Sequence, residues 1–482
     1  MTLTGTITLE DPPPVYGSAT SVVSEGLGDY CAIVTSGGVV CWGTNSNGEL
    51  ADGTSAGPDS CNNACSKMPV PVGISATSLA GDGGGWCAIL TSGMVDCWGS
   101  NGSGELGIGT TGGPDRCTYD TPCSTSPVPL GISATILASA GTGGYCAILT
   151  SQMVDCWGDN SFGELGHGVS SNGPERCGDS SCSTTPVSTG IHATSLAAVN
   201  AGYCAILTSG IVDCWGDNTA GEVGDGSTTG PDTCGGYSGT NSLPCSTRPV
   251  STGISATSLV GGAENYCAVL TSGAVDCWGD NARGELGDGS TSGPDTCSDS
   301  TPCSTRPVPT GISGTSVVTN GNSSCAVLTS GAVDCWGASG FGELGDGSSS
   351  GPDTCADSTP CSTRPVATGI SATSLAAAYS GYCAILTSGP VDCWGDNTEG
   401  ELGDGTMTGP ELCSEFSQSS PCSAVPVSTG ISATYLVGDG QSFCAILESG
   451  ATDCWGSGFD GDLGDGTANN SDVPVPVLGL DP

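Results

Sequence analysis

The tripeptide Cys-Trp-Gly occurs eight times, at Cys41, Cys97, Cys156, Cys214, Cys277, Cys335, Cys393 and Cys454. No other feature constrains the fold as strongly. Successive copies are 56, 59, 58, 63, 58, 58 and 61 residues apart. A period of this size means one supersecondary unit used repeatedly, so the 482 residues form one array rather than several unrelated domains. One unit, from Pro307, runs PVPTGISGTSVV, SCAVLTSGAVDCWG, FGELGDGSSSGPDTC and PCSTRPV. The first segment is a short β-branched run after a Gly. The second alternates apolar and polar residues about Thr-Ser-Gly, which predicts a hairpin turning at Ser-Gly. Gly and Asp clusters follow as turns, and a Pro-Val strand leads into the next unit. No 3.6-residue apolar period is present, and 81 Gly and 29 Pro interrupt the chain too often for helices. Several short strands per unit at this period predict an all-β β-propeller of four-stranded blades. Each blade has two apolar faces and must stack on its neighbours. Eight of the nine Trp lie in the tripeptide, from Trp42 to Trp455. They are expected to fill the core between blades, with ligand stacking as the alternative.

The 30 cysteines fall into pairs. Eight pairs are ten residues apart, namely Cys31–Cys41, Cys87–Cys97, Cys146–Cys156, Cys204–Cys214, Cys267–Cys277, Cys325–Cys335, Cys383–Cys393 and Cys444–Cys454. Seven pairs with looser spacing lie between them: Cys61–Cys65, Cys117–Cys123, Cys177–Cys182, Cys234–Cys245, Cys297–Cys303, Cys355–Cys361 and Cys413–Cys422. A four-cysteine zinc site in each unit is the rival to disulfides. After Cys454 the second pair is missing while the first is intact, which favours two-cysteine modules and hence disulfides. So many disulfides imply an oxidising compartment, extracellular or at the cell surface. The first residues carry neither the basic region nor the apolar run of a secretion signal, so a leader is expected to have been removed or to lie upstream.

The chain has 49 Asp and Glu against 7 Lys and Arg, a formal charge of −42. Such a surface repels phosphate backbones and anionic headgroups, which argues against nucleic acid and membrane surfaces as partners. It attracts cations and basic protein patches. No apolar run is long enough to predict membrane insertion. His167 and His192 are the only histidines and stand where other units carry Asp or Ser; no lysine-bearing phosphate loop is present. Nothing here suggests an enzyme or an organic cofactor.

Three units carry an acidic triplet at one spacing: Asp217, Glu222 and Asp225; Asp280, Glu285 and Asp288; Asp396, Glu401 and Asp404. Hard oxygen ligands on a Gly-rich loop could bind calcium. The third position is Ile108 and His167 in two other units, and Asp-Asn and Asp-Gly also shape turns by bonding their own backbone. A solvated acidic surface is the simpler expectation.

Residues 1–11 stand outside the repeat, leaving 12–482 as a single propeller domain of eight units. Within TLTGTITL, Leu3, Ile7 and Leu9 share one face and Thr2, Thr4, Thr6 and Thr8 the other, a period-two strand. At the far end Val473-Pro474-Val475-Pro476-Val477 supplies a ninth Pro-Val strand. Either terminal strand could close the ring within the chain, or the first could add to the sheet edge of a neighbouring copy and build a filament.

The pattern CAILTSG-x-VDCWGDN-x-x-GELGDG, as in Cys204 to Gly226 (with Val223 for the Leu), resembles the secreted bacterial branch of the RCC1-like repeats, named for the regulator of chromosome condensation. The resemblance extends over about residues 12–480 and implies a β-propeller. Relatives carry His before the first cysteine, where this chain has Tyr30, Trp86, Tyr145 or Tyr203. They carry Gln where this chain has Glu49, Glu105, Glu164, Glu222, Glu285, Glu343 and Glu401. Seven blades are the family's usual number, and eight units are present here. The family includes a nuclear nucleotide-exchange factor and a bacterial protein inhibitor, so the fold does not choose a function. The sequence points to a non-catalytic extracellular scaffold that binds itself, in a filament, or another protein. The alternative is a monomeric binding module, an adhesin or protein inhibitor, with or without calcium.

Overall fold

The computed structural model describes residues 14–482 apart from 27, 62, 142, 170–174, 179, 238–241 and 416–417. Leu3, Ile7 and Leu9 therefore lie outside the described residues. The first unit comprises β1 (Ala19–Ser24), β2 (Tyr30–Val34), β3 (Gly38–Thr44), β4 (Asp59–Ser60) and β5 (Ala64–Gly81). β2 and β3 form the Cys–Trp hairpin, with Tyr30 opposite Trp42 and Cys31 opposite Cys41. Its turn falls on Thr-Ser-Gly, where Gly37 takes a φ of 85°, open to glycine without a steric penalty. β1 pairs with β2, and β3 with the first half of β5, Cys41 standing opposite Val70.

β5 then continues into the second unit, where Ala80 faces Cys87. The Pro-Val segment and the β-branched run after Gly, distinct in the sequence, are thus one strand shared by two sheets. The physical reason is Gly73, whose φ of 83° lets the strand turn between sheets while both halves keep their ladders. Six further long strands do the same, the last being Gln418–Asp439. Eight antiparallel sheets follow one another among the described residues, each with four main strands and, in the first seven, a short fifth such as β4. Ser471–Pro476, overlapping the last Pro-Val segment, completes the eighth by pairing with Thr452–Gly456. Val23, Leu79, Leu137, Leu196 and Leu259, from the first strands of five successive sheets, line a central opening of 390 Å³.

The core is a set of layers between sheets. In one, Trp336 of the sixth unit packs on Cys267, Val269, Val275, Cys277 and Leu286 of the fifth. The same arrangement joins the last unit to the first: Trp42, Tyr30 and Val40 pack with Cys444, Ile446, Leu463 and Val477. At that junction the Tyr16 N–H donates to the Gly479 carbonyl at 2.8 Å, and the ring is closed. The thirty cysteines form fifteen disulfides and none is free. Cys31 and Cys41 span their hairpin with Cα atoms 4.1 Å apart.

Each Trp of the tripeptide also carries one directed bond. Trp336 Nε1–H donates to the Glu285 carbonyl of the preceding unit at 2.8 Å, and the same bond recurs at every junction, including Trp42 to the Asp462 carbonyl at 2.8 Å. Trp336→Phe removes the donor, strands a buried carbonyl and opens a small void. It is expected to lower stability by about 2–4 kcal/mol, read as a shift of the urea unfolding midpoint. An unmoved midpoint would mean the junction does not depend on this bond.

Candidate functional site

The Gly-Glu-Leu-Gly turns after each hairpin place one acidic side chain per unit at the junctions. Seven are Glu, and the eighth is Asp462. The Glu folds back so that one Oε accepts the backbone N–H two residues earlier, as from Ser103 to Glu105 and Arg283 to Glu285, at 2.8 Å in each. All eight are buried, between 1% and 8% exposed. The expected solvated acidic surface is therefore corrected for this ring, whose carboxylates cap their own turns beneath the neighbouring blade. Burial pushes Glu105 and Glu401 up to about 8, and Asp159 up to about 6.

The triplets of the sequence separate into turn-capping roles. Asp217 accepts from Thr219 N–H at 3.0 Å, Asp280 from Ala282 N–H at 3.1 Å, and Asp396 from the Thr398 hydroxyl at 2.9 Å. Glu222, Glu285 and Glu401 belong to the buried ring. Asp225, Asp288 and Asp404 accept from Ser227, Ser290 and Thr406 N–H at 2.8 to 2.9 Å, each in a turn of its own. The first two members of a triplet are near enough for Asp217 to help raise Glu222.

Three acidic side chains converge elsewhere. Among the described residues, the one group of three whose ligand atoms all lie within 4.8 Å of one another is Glu25, Asp29 and Glu49. Glu25 follows β1, Asp29 precedes β2, and Glu49 lies in the turn after β3. Burial, then repulsion from neighbouring carboxylates, pushes Glu25 and Asp29 well up. Asp439 and Asp462 of the eighth unit adjoin this group, and the Gly28 N–H donates to Asp439 at 2.9 Å across the junction. Above it opens a cavity of 580 Å³ between the seventh, eighth and first units, lined by Asp439, Asp462, Glu399 and Asn470 together with Tyr379 and Phe459. Both aromatic rings are more than half exposed. Sequence reasoning missed Glu25 and Asp29. The available signal was the residue before the first hairpin aromatic, which is Gly85, Gly144, Gly202 and Gly381 in four other units and Asp only at Asp29.

The fold and its junctions define a closed β-propeller with an acidic seam. Comparison with known proteins adds a likeness to one repeat family. The regulator of chromosome condensation (RCC1) repeat matches residues 256–285. The E3 ubiquitin-protein ligase HERC2 of Homo sapiens is 27% identical over 387 residues, 77% of this chain but 7% of HERC2. The chain thus spans only a small part of that relative. The ultraviolet-B receptor UVR8 of Arabidopsis thaliana is 26% identical over 404 residues, 82% of this chain and 79% of UVR8. Prp20p of Saccharomyces cerevisiae, which binds Gsp1p and histones, matches in structure with a TM-score of 0.55 at 18% identity, covering 88% of this chain and 92% of its own. The repeats are similar to RCC1 repeats, and the fold is a β-propeller like that of Prp20p.

The raised carboxyls have a consequence for stability. A carboxyl with an unfolded value of about 4 and a folded value near 8 binds more protons folded than unfolded between those limits. Stability therefore falls as pH rises across that window. In chelator, the melting midpoint is expected to be lower at pH 8 than at pH 5, measured by calorimetry. A rise instead would mean that these carboxylates are ionised and compensated in the native ring.

Proposed function

We propose that this propeller is a non-catalytic protein-interaction scaffold of an oxidising, extracellular or cell-surface setting, and that its seam cavity receives a basic side chain of a protein partner. The observation that carries this reading is the cavity lining, in which carboxylates on Asp439, Asp462 and Glu399 stand beside the exposed rings of Tyr379 and Phe459. A guanidinium or ammonium group placed there gains charge pairing and a cation–π contact together. The chain's charge of −42 steers basic partners toward it and repels nucleic acid. Fifteen disulfides support the compartment.

A short oligoarginine peptide is expected to bind the intact chain one to one, with an affinity that falls steeply with salt. The double variant Tyr379→Ser, Phe459→Ser should weaken it by about tenfold, since each exposed cation–π contact contributes about 0.5–1 kcal/mol. Equal binding by the variant would reduce the attraction to the diffuse acidic field and remove the cavity from the reading.

A second form of scaffold, a filament, rests on the alternating sequence pattern of residues 2–9, which as a strand would set Leu3, Ile7 and Leu9 on one face. Electron microscopy of the intact chain should show ordered fibres that disappear when residues 1–11 are deleted. Single rings in both samples would leave the monomeric binding module.

A further inference from the structure

We propose that Glu25, Asp29 and Glu49 form a divalent-cation site of the calcium class at the seam where the ring closes. One oxygen from each carboxyl lies within 4.8 Å of the others, and the three come from three separate segments of the first unit. Glu25 is 9% exposed and Asp29 1%; apart from the contact between their own two carboxyls, neither oxygen of Glu25 has a hydrogen-bond partner, nor does Asp29 Oδ2. The remaining oxygen of Asp29 accepts the Thr44 N–H. Glu49 accepts the Asn47 N–H and the Asn47 side-chain amide, both at 2.8 Å. A carboxylate oxygen with one donor keeps a lone pair free, so each of the three groups still has something to offer a cation.

Three buried carboxylates at this separation cannot stand ionised without a counter-charge. Each would cost several kcal/mol to desolvate, and their mutual repulsion adds to that cost. Among the described residues, the leading charges that act on Glu25 and Asp29 after burial are all acidic, from Glu49, Asp82, Asp439, Asp462 and each other. The donor set is oxygen alone, without sulfur or imidazole, which selects a hard cation. Calcium accepts six to eight oxygens in irregular geometry and fills its shell from main-chain carbonyls and water, whereas magnesium demands a regular octahedron.

The repeat supplies an independent comparison. Each unit holds the position of Asp29 directly before the first hairpin aromatic or its counterpart, and the other seven place Gly, Asn or Ser there. The position of Glu25 directly follows the residue opposite that aromatic. It is acidic in the flanking units, at Asp82 and Asp439, and is Ala140, Val199, Gly262 and Ala378 in four others. The carboxylates are therefore a local departure of the first unit and its two neighbours, the eighth among them. A cation there ties the loop between β1 and β2 to the turn after β3, and Gly28 in that loop bonds Asp439. Through Gly28 the site would brace the first unit's side of the one junction that no continuous strand crosses. It does not depend on the partner reading of the cavity.

The test uses the full chain stripped with chelator and titrated with calcium, followed by calorimetric binding and thermal unfolding. One saturable site per chain, with a melting midpoint that rises on calcium addition, is expected. Asp29→Gly, which installs the residue found in four sibling units, should weaken that site by at least about a hundredfold, some 2.7 kcal/mol by the tenfold-per-1.36 rule, and abolish the rise. Glu25→Gln, which keeps the side-chain shape, should do the same if the first variant fails to fold. Asp404→Asn, in an exposed turn, should leave the site intact. Weak, salt-sensitive uptake alone, a midpoint that calcium does not move, or unchanged binding by Asp29→Gly and Glu25→Gln would overturn the proposal and assign the three carboxyls to protons.

Discussion

Each blade holds the next through a buried hydrogen bond from an indole to a main-chain carbonyl, and most of the repeat can be understood as serving that bond. The carbonyl belongs to the acidic residue of the Gly-Glu-Leu-Gly turn, whose side chain is folded back onto its own backbone and fixes the turn's shape. The second Gly of the turn leaves room for the ring. A Cβ on Gly224 would lie 2.9 Å from Trp278 Nε1, and its φ of 71° is one that a side chain resists. On the other side the indole rests on the aromatic opposite it in the hairpin, as Trp278 does on Tyr266 at 5.5 Å between centroids. The disulfide one residue along pins the strands that set its direction.

Much of this was legible beforehand because it is periodic. Eight Cys-Trp-Gly copies, a ten-residue cysteine spacing and a Ser-Gly turn specify hairpins with the Trp on an apolar face, and stacking follows from having two such faces. The acidic residues were harder to place. Glu285 and Asp288 look alike in composition and in their short spacing from Gly, yet one is capped and buried at a junction while the other sits in an open turn. What separates them is the approach of the next blade, a contact between distant residues that local pattern does not encode. Glu25 and Asp29 were obscured for the opposite reason, since they belong to no repeated motif. Their interest emerges only when register is known and each can be set beside its counterparts.

The continuity of β5 and its equivalents was also hidden, because a Gly within a β-branched run usually marks a break. Here it marks a bend. Each sequence repeat therefore donates half a strand to the following sheet, and the boundaries of the repeat and of the blade do not coincide. Seven junctions are joined covalently through the middle of a hydrogen-bonded strand.

The eighth junction is different. It relies on the Trp42 bond, the packing around Val477 and Leu463, and a few contacts such as the Tyr30 hydroxyl with the Ser442 hydroxyl at 2.8 Å. A ring with seven threaded joints and one unthreaded joint does not fray evenly. Opening fluctuations short of global unfolding are expected to begin at that joint, and amide exchange along β1 and its neighbour Gln418–Asp439 would report how often the circle becomes an open arc. That joint is a built-in latch, and an occupant of the acidic seam would govern how often it is released.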